Sequence, residues 1–243
     1  MKISGKHAVA EAIASGRTID RLVVQKGLKD GISQRIIDDA KSRGILIRFM
    51  DEAALTREAA SDRHQGFVAE LTDFSYCTLE DIFAYAASLN QPPFIVLLDG
   101  VEDPHNLGSI LRVAECAGVH GVVIPNRRSV SVNDTVVRVS AGAAAHVKVA
   151  KVPSLNDAIR TLKERNVFVF AAEANGAPIY QTNLKGAVAL VIGGEDSGVK
   201  RLTQQLCDGV VALPMYGKVN SLNASVACGV VLYEVLRQRR EAL

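Results

Sequence analysis

Short apolar runs between residues 94 and 213 constrain the fold more than any other feature of this sequence. They occupy residues 94–98, 121–124, 147–149, 167–171, 188–192 and 210–213. Near-continuous runs of Val and Ile are typical of parallel strands that are buried on both faces of a sheet. Helical spacing of apolar residues lies between several of these runs, at residues 107–117, 135–145, 155–165, 202–207 and 222–237. The alternation predicts an α/β fold built on an open parallel sheet.

The residues that precede these runs predict a second, smaller α/β unit. Helical spacing at residues 8–14 and 33–42 alternates with strand-like runs at residues 21–24, 45–49 and 67–71. Residues 72–92 have a mixed pattern, with room for one short helix at 79–88, and they end next to the pair Pro92-Pro93, which stiffens the backbone. We therefore predict a first domain over residues 1–75, a linker over 76–92 and a second domain over 93–243.

The composition narrows the class of protein. No apolar run is long enough to span a bilayer, and the N-terminus lacks the apolar segment of a signal peptide, so we expect a cytoplasmic protein without a membrane partner. The four cysteines are scattered without metal-ligand spacing, which argues against a metal site or a disulfide framework. The net charge is only +2, so any nucleic-acid partner must be held by local basic patches.

The first segment that could carry chemistry follows the run at residues 94–98. Ligands bind at the carboxyl ends of the strands in open α/β sheets, and residues 99–112 are placed there. Asn106 can cap the helix that follows. Gly108 lies four residues before Arg112, on the same helix face, so we expect an open space above a guanidinium suited to binding phosphate. An ordinary strand-to-helix junction with a surface arginine explains the same residues.

The second segment is Gly193-Gly194-Glu195, which follows the run at residues 188–192. It has neither the spacing of a dinucleotide fingerprint nor that of a P-loop. Its glycines could admit a ligand close to the backbone, and Glu195 would place a carboxylate at the end of a strand. A plain tight turn is the alternative interpretation.

The third segment, residues 213–225, joins an apolar run to an apolar helix through a polar loop. Ser221 can cap that helix, and Leu222, Val226, Val230 and Tyr233 predict its buried stripe. Capping does not explain Asn223 and Ser225, since neither residue favours a helix interior. Such polar residues in a loop at the end of a strand indicate binding.

Taken together, the three segments resemble the motifs of the SPOUT superfamily of RNA methyltransferases, in its TrmH-type 2'-O-ribose branch. The resemblance is carried by Asn106, Gly108 and Arg112, by Gly193-Gly194-Glu195 with Gly198, and by Leu213-Pro214-Met215 with residues 221–225. Residues 5–12 and 64–67 are similar to the ribosomal-protein-like substrate-binding domain of that branch. One departure is Asp196-Ser197, where many relatives carry Gly-Glu. The whole chain is most similar to bacterial enzymes that methylate a guanosine ribose of 23S rRNA.

The resemblance implies properties that the apolar pattern does not predict. They are a trefoil knot in the C-terminal domain, S-adenosyl-L-methionine as cofactor, RNA as substrate (23S rRNA in particular) and a homodimer with the active site near its interface. It also implies two sets of site residues. The catalytic set is Arg112, Asn106, Glu195, Ser221 and Asn223, and the cofactor-binding set is Gly193, Gly194, Leu213, Pro214, Met215, Leu222 and Ala224.

Three alternatives stay open at this point. The same reaction could modify a tRNA guanosine or an rRNA adenosine. A non-catalytic RNA-binding module would share the fold but would not need the polar residues of the three motifs. A nucleotide-dependent oxidoreductase fits the α/β pattern, although the sequence has no dinucleotide fingerprint.

Overall fold

The computed structural model describes residues 2–59, 63–72, 74–195 and 198–240. Asp196 and Ser197, the departure noted above, therefore lie outside the described residues. The chain forms two compact units, residues 1–75 and 76–243. Within the described part of the chain, no helix is long and apolar enough to cross a membrane.

The first unit is a four-stranded mixed sheet with helices on both faces. Its strands β1–β4 are ordered β1-β4-β2-β3, with β2 and β3 parallel and the other pairs antiparallel. The larger core lies under α1 and α2, whereas Leu55 of α3 packs on the other face against Val23 and Val68. The bounds are β1 (Lys2–Ser4), α1 (Lys6–Ala14), β2 (Ile19–Gln25), α2 (Gly31–Ser42), β3 (Ile47–Met50), α3 (Glu52–Glu58) and β4 (Phe67–Leu71). Of these, β1 and α3 were not predicted.

The second unit contains a six-stranded parallel sheet in the order β10-β8-β9-β5-β6-β7. The predicted parallel α/β fold is thereby confirmed. The strands are β5 (Phe94–Asp99), β6 (Gly121–Pro125), β7 (Val149–Val152), β8 (Phe168–Pro178), β9 (Val188–Gly193) and β10 (Gly209–Ala212). The helices are α4 (Leu79–Ser88), α5 (Pro104–Cys116), α6 (Asp134–Val139), α7 (Leu155–Glu164), α8 (Arg201–Leu206) and α9 (Ala224–Arg240).

The segment predicted as a linker, residues 76–92, is instead part of the second unit. The backbone N–H of Cys77 donates to the carbonyl of Val149 at 2.9 Å, and α4 starts at a capping box formed by Thr78 and Asp81. Ile82 of α4 is fully buried in the core of this unit. Gly121 makes room for it, since a Cβ there would lie 2.4 Å from Ile82 Cδ1.

The helix predicted over residues 135–145 is shorter than its apolar pattern. Helix α6 ends at Val139, because Ala141 and Gly142 both have left-handed backbone conformations, with φ of 50° and 91°. A single 3₁₀ turn, Ala143–Ala145, follows. The apolar spacing continues through this turn because Ala143 and Ala144 are also buried, so spacing alone does not mark the break.

The buried stripe predicted for the last helix is wrong. Leu222, Val226, Val230 and Tyr233 are between 39% and 52% exposed, and Leu222 precedes the helix. Helix α9 packs against α5 and β9 through a different face. Both faces carry apolar residues at helical spacing, so periodicity does not decide which one is buried. The face that packs carries Ala224, Cys228, Val231, Leu232 and Val235.

The open space expected beside Gly108 does not exist. A Cβ on Gly108 would lie 2.7 Å from the Cβ of Val139 and 3.1 Å from the carbonyl oxygen of Val136. Gly108 is therefore required because α6 packs directly on α5 at this point, and the glycine does not form a hollow for a ligand.

We expect Gly108→Ala to lower the free energy of unfolding of the second unit by about 1–3 kcal/mol, because the added methyl group overpacks the α5–α6 contact. Gly229→Ala in α9 is the matched control, since its Cβ would meet Val113 Cγ2 at an ordinary 3.5 Å. Replacing a helical glycine by alanine there should leave stability unchanged or raise it by up to about 1 kcal/mol. Urea unfolding measures both, and equal effects of the two substitutions would contradict the packing explanation.

Candidate active site

The three segments singled out in the sequence converge at the carboxyl end of the sheet. Strands β8, β9 and β5 are neighbours, and Asp99 at the end of β5 pairs with Gly193 at the end of β9. Parallel strands place the loops that follow them at the same edge. The topology therefore brings together loops that are about a hundred residues apart in the chain.

A carboxylate held by two amides forms the centre of the site. The side-chain N–H of Asn106 donates to Glu195 Oε1 at 2.8 Å, and that of Asn223 donates to the same oxygen at 2.6 Å. Asn223 also donates to Asn106 Oδ1 at 2.9 Å. These contacts join one residue from each of the three segments. Because charge-assisted hydrogen bonds are comparatively strong, the network fixes the position of Glu195.

Asn106 is free for this contact because another residue caps its helix. Asp103 is the N-cap of α5 and accepts from the backbone N–H of His105 at 3.1 Å, with Pro104 at the first helical position. The predicted capping role of Asn106 is therefore wrong. Its side chain lies in the first turn of α5, only 5% exposed, and bonds to Glu195 and Asn223.

Asn223 has the capping role that was predicted for Ser221. Its Oδ1 accepts from the backbone N–H groups of Ser225 at 3.0 Å and Val226 at 3.3 Å, while its Nδ2 donates to Glu195. The start of α9 and the position of Glu195 thus depend on the same side chain. Ser221 is exposed and has no hydrogen-bond partner among the described residues.

The two glycines of the second segment allow the main chain of neighbouring loops to approach closely. A Cβ on Gly193 would lie 2.2 Å from the carbonyl carbon of Gly198, and one on Gly194 would lie 2.1 Å from the carbonyl oxygen of Gly100. The backbone N–H of Gly194 donates to the carbonyl of Asp99 at 2.9 Å. The loops after β5 and β9 are consequently in direct main-chain contact, which only glycine permits.

Two further carboxylates, both missed in the sequence, hold the turn after β9. Asp99 is 2% exposed and accepts from the backbone N–H of Lys200 at 3.0 Å and from its ammonium group. Glu173 of β8 accepts from the backbone N–H of Val199. An acidic residue at the end of an apolar run was the available signal for Asp99. Glu173 lies beyond the predicted end of its strand, and no local pattern indicates its partner.

A cavity of about 510 Å³ adjoins the carboxylate cluster. The residues of the predicted cofactor set that line it are Gly193, Gly194, Leu213, Met215, Leu222 and Ala224, and Pro214 is not part of its wall. Glu195, Ser221 and Asn223 of the predicted catalytic set also line it, together with Glu173. The cavity therefore presents apolar side chains, backbone and carboxylates to the same ligand.

Arg112 does not lie next to Asn106, Glu195 and Asn223 of the same chain. It is exposed on α5, does not line the cavity, and has no hydrogen-bond or ion-pair partner among the described residues. Six residues along an α-helix turn a side chain by about 240°, so Arg112 and Asn106 point in different directions. The two residues of the first motif therefore face different surroundings.

Two further features of the described residues concern metal ligands and the thiol nearest the start of α9. Among the described residues, no group of three His, Cys, Asp or Glu side chains could hold a metal ion. Cys228 of α9 is fully buried, and burial raises the pKa of its thiol to about 12, so it stays protonated at neutral pH.

Comparison with protein families decides whether the chain is a methyltransferase or an oxidoreductase. The sequence model of the SpoU rRNA Methylase family matches residues 93–233, and that of the RNA 2'-O ribose methyltransferase substrate binding domain matches residues 2–77. The chain belongs to the SpoU family. It is an RNA methyltransferase, and the oxidoreductase interpretation is wrong.

Relatives of this methyltransferase match over almost its full length. YacO of Bacillus subtilis (strain 168), a TrmH family protein, is 41% identical over 98% of this chain and 95% of its own length. A TrmH family protein of Staphylococcus saprophyticus is 40% identical, with the same coverage of both chains.

Solved structures share the fold. The AdoMet-bound rRNA methyltransferase of Sinorhizobium meliloti aligns with a TM-score of 0.60 and 25% identity, covering 97% of this chain and 86% of that one. AviRb of Streptomyces viridochromogenes, a SpoU methyltransferase in complex with AdoMet, has a TM-score of 0.63 and 23% identity, covering 99% and 91%.

We expect Asn223→Ala to lower the free energy of unfolding by about 1 kcal/mol, because α9 loses its cap. Asn223→Ser should retain most of that stability, since serine caps a helix about as well as asparagine. Neither variant keeps the amide that holds Glu195. Urea unfolding therefore separates the cap from the contact with the carboxylate, and equal destabilisation by Ala and Ser would show that capping is not the role of Asn223 in stability.

Proposed function

We propose that this methyltransferase modifies a ribose 2'-hydroxyl of RNA, at a guanosine of 23S rRNA, with S-adenosyl-L-methionine as methyl donor. The observation that carries the proposal is the Asn106–Glu195–Asn223 cluster at the wall of the large cavity. The match of the first unit to a 2'-O ribose methyltransferase substrate-binding domain supports the choice of ribose. A reaction on bacterial rRNA also places the protein in the cytoplasm.

The residues of the large cavity fit this cofactor. Its volume of about 510 Å³ lies in the usual range for small-molecule sites. Leu213, Leu222 and Ala224 offer apolar surface to an adenine ring, and Glu173 and Glu195 offer carboxylates to a cationic ligand. Gly193 and Gly194 complete the wall with backbone. When bound, S-adenosyl-L-methionine supplies a methyl group activated by a sulfonium centre.

The protein must orient the 2'-hydroxyl and stabilise the charge that develops on its oxygen. The amides of Asn106 and Asn223 both donate to Oε1 of Glu195, so Oε2 can accept a hydrogen bond from the hydroxyl and hold it in line. The hydroxyl of Ser221 is exposed at the cavity and can position the ribose. In this arrangement Glu195 is the group that touches the reacting hydroxyl, and its Oε2 can take the proton that the hydroxyl loses as the oxygen accepts the methyl group.

We assign to Arg112 the anchoring of the neighbouring phosphate and the stabilisation of the developing oxyanion. A guanidinium does not lose its proton in proteins, so Arg112 acts as a fixed positive charge and not as a base. It has no hydrogen-bond or ion-pair partner among the residues that the structure describes, and it does not line the large cavity. The proposal therefore requires a second copy of the chain, in which Arg112 of one subunit serves the site of the other.

The exposed face of α9 supports such a homodimer. Val226, Val230 and Tyr233 follow one another at helical spacing, and Leu222 lies just before the helix. Together they leave an apolar stripe exposed to water. Stripes of this kind usually mark an interface, and a symmetric dimer would cover the same stripe on both subunits. The residue after Arg112, Val113, lies against Gly229 of α9, so Arg112 is next in sequence to a residue that contacts this helix.

We also propose that the C-terminal part of the second unit forms the trefoil knot implied by the resemblance. Strand β9 lies between β8 and β5, and the loops after β5 and β9 touch through glycine backbone. Chain segments that pass each other without intervening side chains are compatible with a threaded arrangement. Knots are rare among proteins, so this arrangement is a specific proposal about the path of the chain.

The proposed reaction is tested with the purified full-length protein, labelled S-adenosyl-L-methionine and unmodified transcripts of bacterial 23S rRNA and tRNAs. We expect methyl transfer to a ribose of the 23S transcript, mapped by alkaline resistance of the modified linkage. Arg112→Ala should reduce transfer by at least about a hundredfold, since removing a transition-state charge contact costs about 2.7–4 kcal/mol. Its affinity for the cofactor should be unchanged.

Arg160→Ala, which removes an exposed arginine of α7, is the control and should retain full activity. Methylation of a base in place of a ribose would refute the proposed reaction. Loss of cofactor binding in the Arg112 variant would refute the role given to that residue. Transfer to tRNA alone would support the proposed reaction and show that the substrate is a tRNA and not 23S rRNA.

We expect Val230→Asp to convert the dimer to a monomer, because each α9 would carry a charge at the centre of the apolar stripe. Sedimentation velocity measures the change, and methyl transfer should be lost with it. Leu202→Asp on α8 changes an apolar residue that is more exposed, at 57% against 39% for Val230, and that lies away from the stripe, so this variant should remain dimeric. A monomeric wild-type protein that transfers methyl groups would contradict the model of shared sites.

A further inference from the structure

A second, smaller cavity of about 330 Å³ lies directly beside the large one. Gly194, Glu195 and Ala224 belong to the walls of both cavities. Glu102 and Arg128 line the smaller cavity but not the large one. A group bound there is therefore adjacent to the carboxylate that we assign to the 2'-hydroxyl, at the place where the rest of the same nucleotide must lie.

Most charged groups around the smaller cavity already have partners in the protein. Lys200 is bound to Asp99, Asp103 caps α5, and Glu195 is held by the amides of two asparagines. Glu102 and Arg128 are different, because neither makes an ion pair or a hydrogen bond through its side chain to any described residue. One carboxylate and one guanidinium are thus available to a ligand.

The charges around the wall argue against a phosphate in this cavity. Glu102, Asp103 and Glu195 contribute three carboxylates against the two cations Arg128 and Lys200, and Lys200 is already paired with Asp99, so an anion would meet a net negative wall. A neutral ligand with both donors and acceptors meets no such penalty, and it can satisfy Glu102 and Arg128 at the same time. A nucleobase has this chemistry.

Arg128 is held in place by its loop. Its backbone is left-handed, with φ of 54°, a conformation that is uncommon for residues other than glycine. The loop is fixed on either side, since Asn126 N–H donates to the carbonyl of Val152 at 2.8 Å and Val130 N–H to that of Val101 at 3.0 Å. Such backbone persists where the surroundings impose it and is found preferentially at functional sites.

We propose that the smaller cavity binds the base of the target nucleotide and that Glu102 and Arg128 select guanine. Guanine presents two adjacent donors, N1–H and the 2-amino group, to a carboxylate, and its O6 and N7 atoms accept from arginine in a bidentate manner. Adenine and cytosine offer a carboxylate only one amino group, and uracil only one N–H. This inference rests on the proposed ribose methylation and adds to it the residues that choose the base.

The first test uses the full-length protein with the same unmodified rRNA and tRNA transcripts, digested to nucleosides and analysed by mass spectrometry. We expect 2'-O-methylguanosine as the product. Another 2'-O-methylnucleoside as the main product would overturn the inference and leave the ribose reaction intact. Absence of every 2'-O-methylnucleoside would instead refute the proposed function itself, so the two failures are distinguishable.

The second test compares Glu102→Gln and Arg128→Ala with the matched controls Glu164→Gln and Arg127→Ala, which change exposed residues outside the cavity. At the mapped guanosine, each of the first two should lower kcat/KM about tenfold to a hundredfold, as expected for hydrogen bonds to charged groups. Cofactor affinity should stay the same, and the controls should remain within about twofold of wild type.

A transcript with inosine at the mapped position then isolates the contact of Glu102 with the 2-amino group. The wild-type protein should lose about tenfold in kcat/KM on this RNA, and Glu102→Gln should be nearly indifferent to the change. A Glu102→Gln protein that distinguishes guanosine from inosine as the wild type does would overturn the assignment of Glu102. If Arg128→Ala weakens binding of all RNA equally, with base choice unchanged, Arg128 reads the backbone and the proposal for that residue is wrong.

Discussion

The site depends on one carboxylate oxygen that accepts hydrogen bonds from two asparagine side chains. Glu195 Oε1 joins Asn106 of α5 to Asn223 at the start of α9, and these residues come from three separate strand-to-helix connections. The parallel sheet supplies the framework, because it places the ends of β5 and β9 side by side. The polar network then fixes the loops relative to one another, which packing alone would not do.

The strands could be predicted because each is a short apolar run, and a strand buried on both faces has few other sequences available to it. The site was predicted as a set of residues but not as a geometry. Asn106 was expected to cap α5, although Asp103-Pro104 is the stronger signal for a helix start. Its contact with Glu195 depends on the order of the strands, and no local pattern contains that order.

Helix α9 shows the limit of periodicity. It has apolar residues on two faces, and the sequence predicted burial of the face that the structure leaves exposed. Which face is buried within the chain depends on where α5 lies, and α5 is brought there by the sheet. Arg112 presents the same problem in another form, since its role as proposed involves a partner subunit. The sequence does not predict features that depend on another element or another subunit, such as the buried face of α9 and the role of Arg112.

The glycine contact between Gly194 and Gly100 has a consequence for how this site can change over evolution. Surface loops normally tolerate insertions, and enzymes often acquire new substrates in that way. Here two connections touch through their main chains at a distance that leaves no room even for a methyl group. Changes of loop length at this point would separate the groups that hold Glu195. Divergence of substrate choice should therefore proceed by exchange of side chains around a fixed backbone.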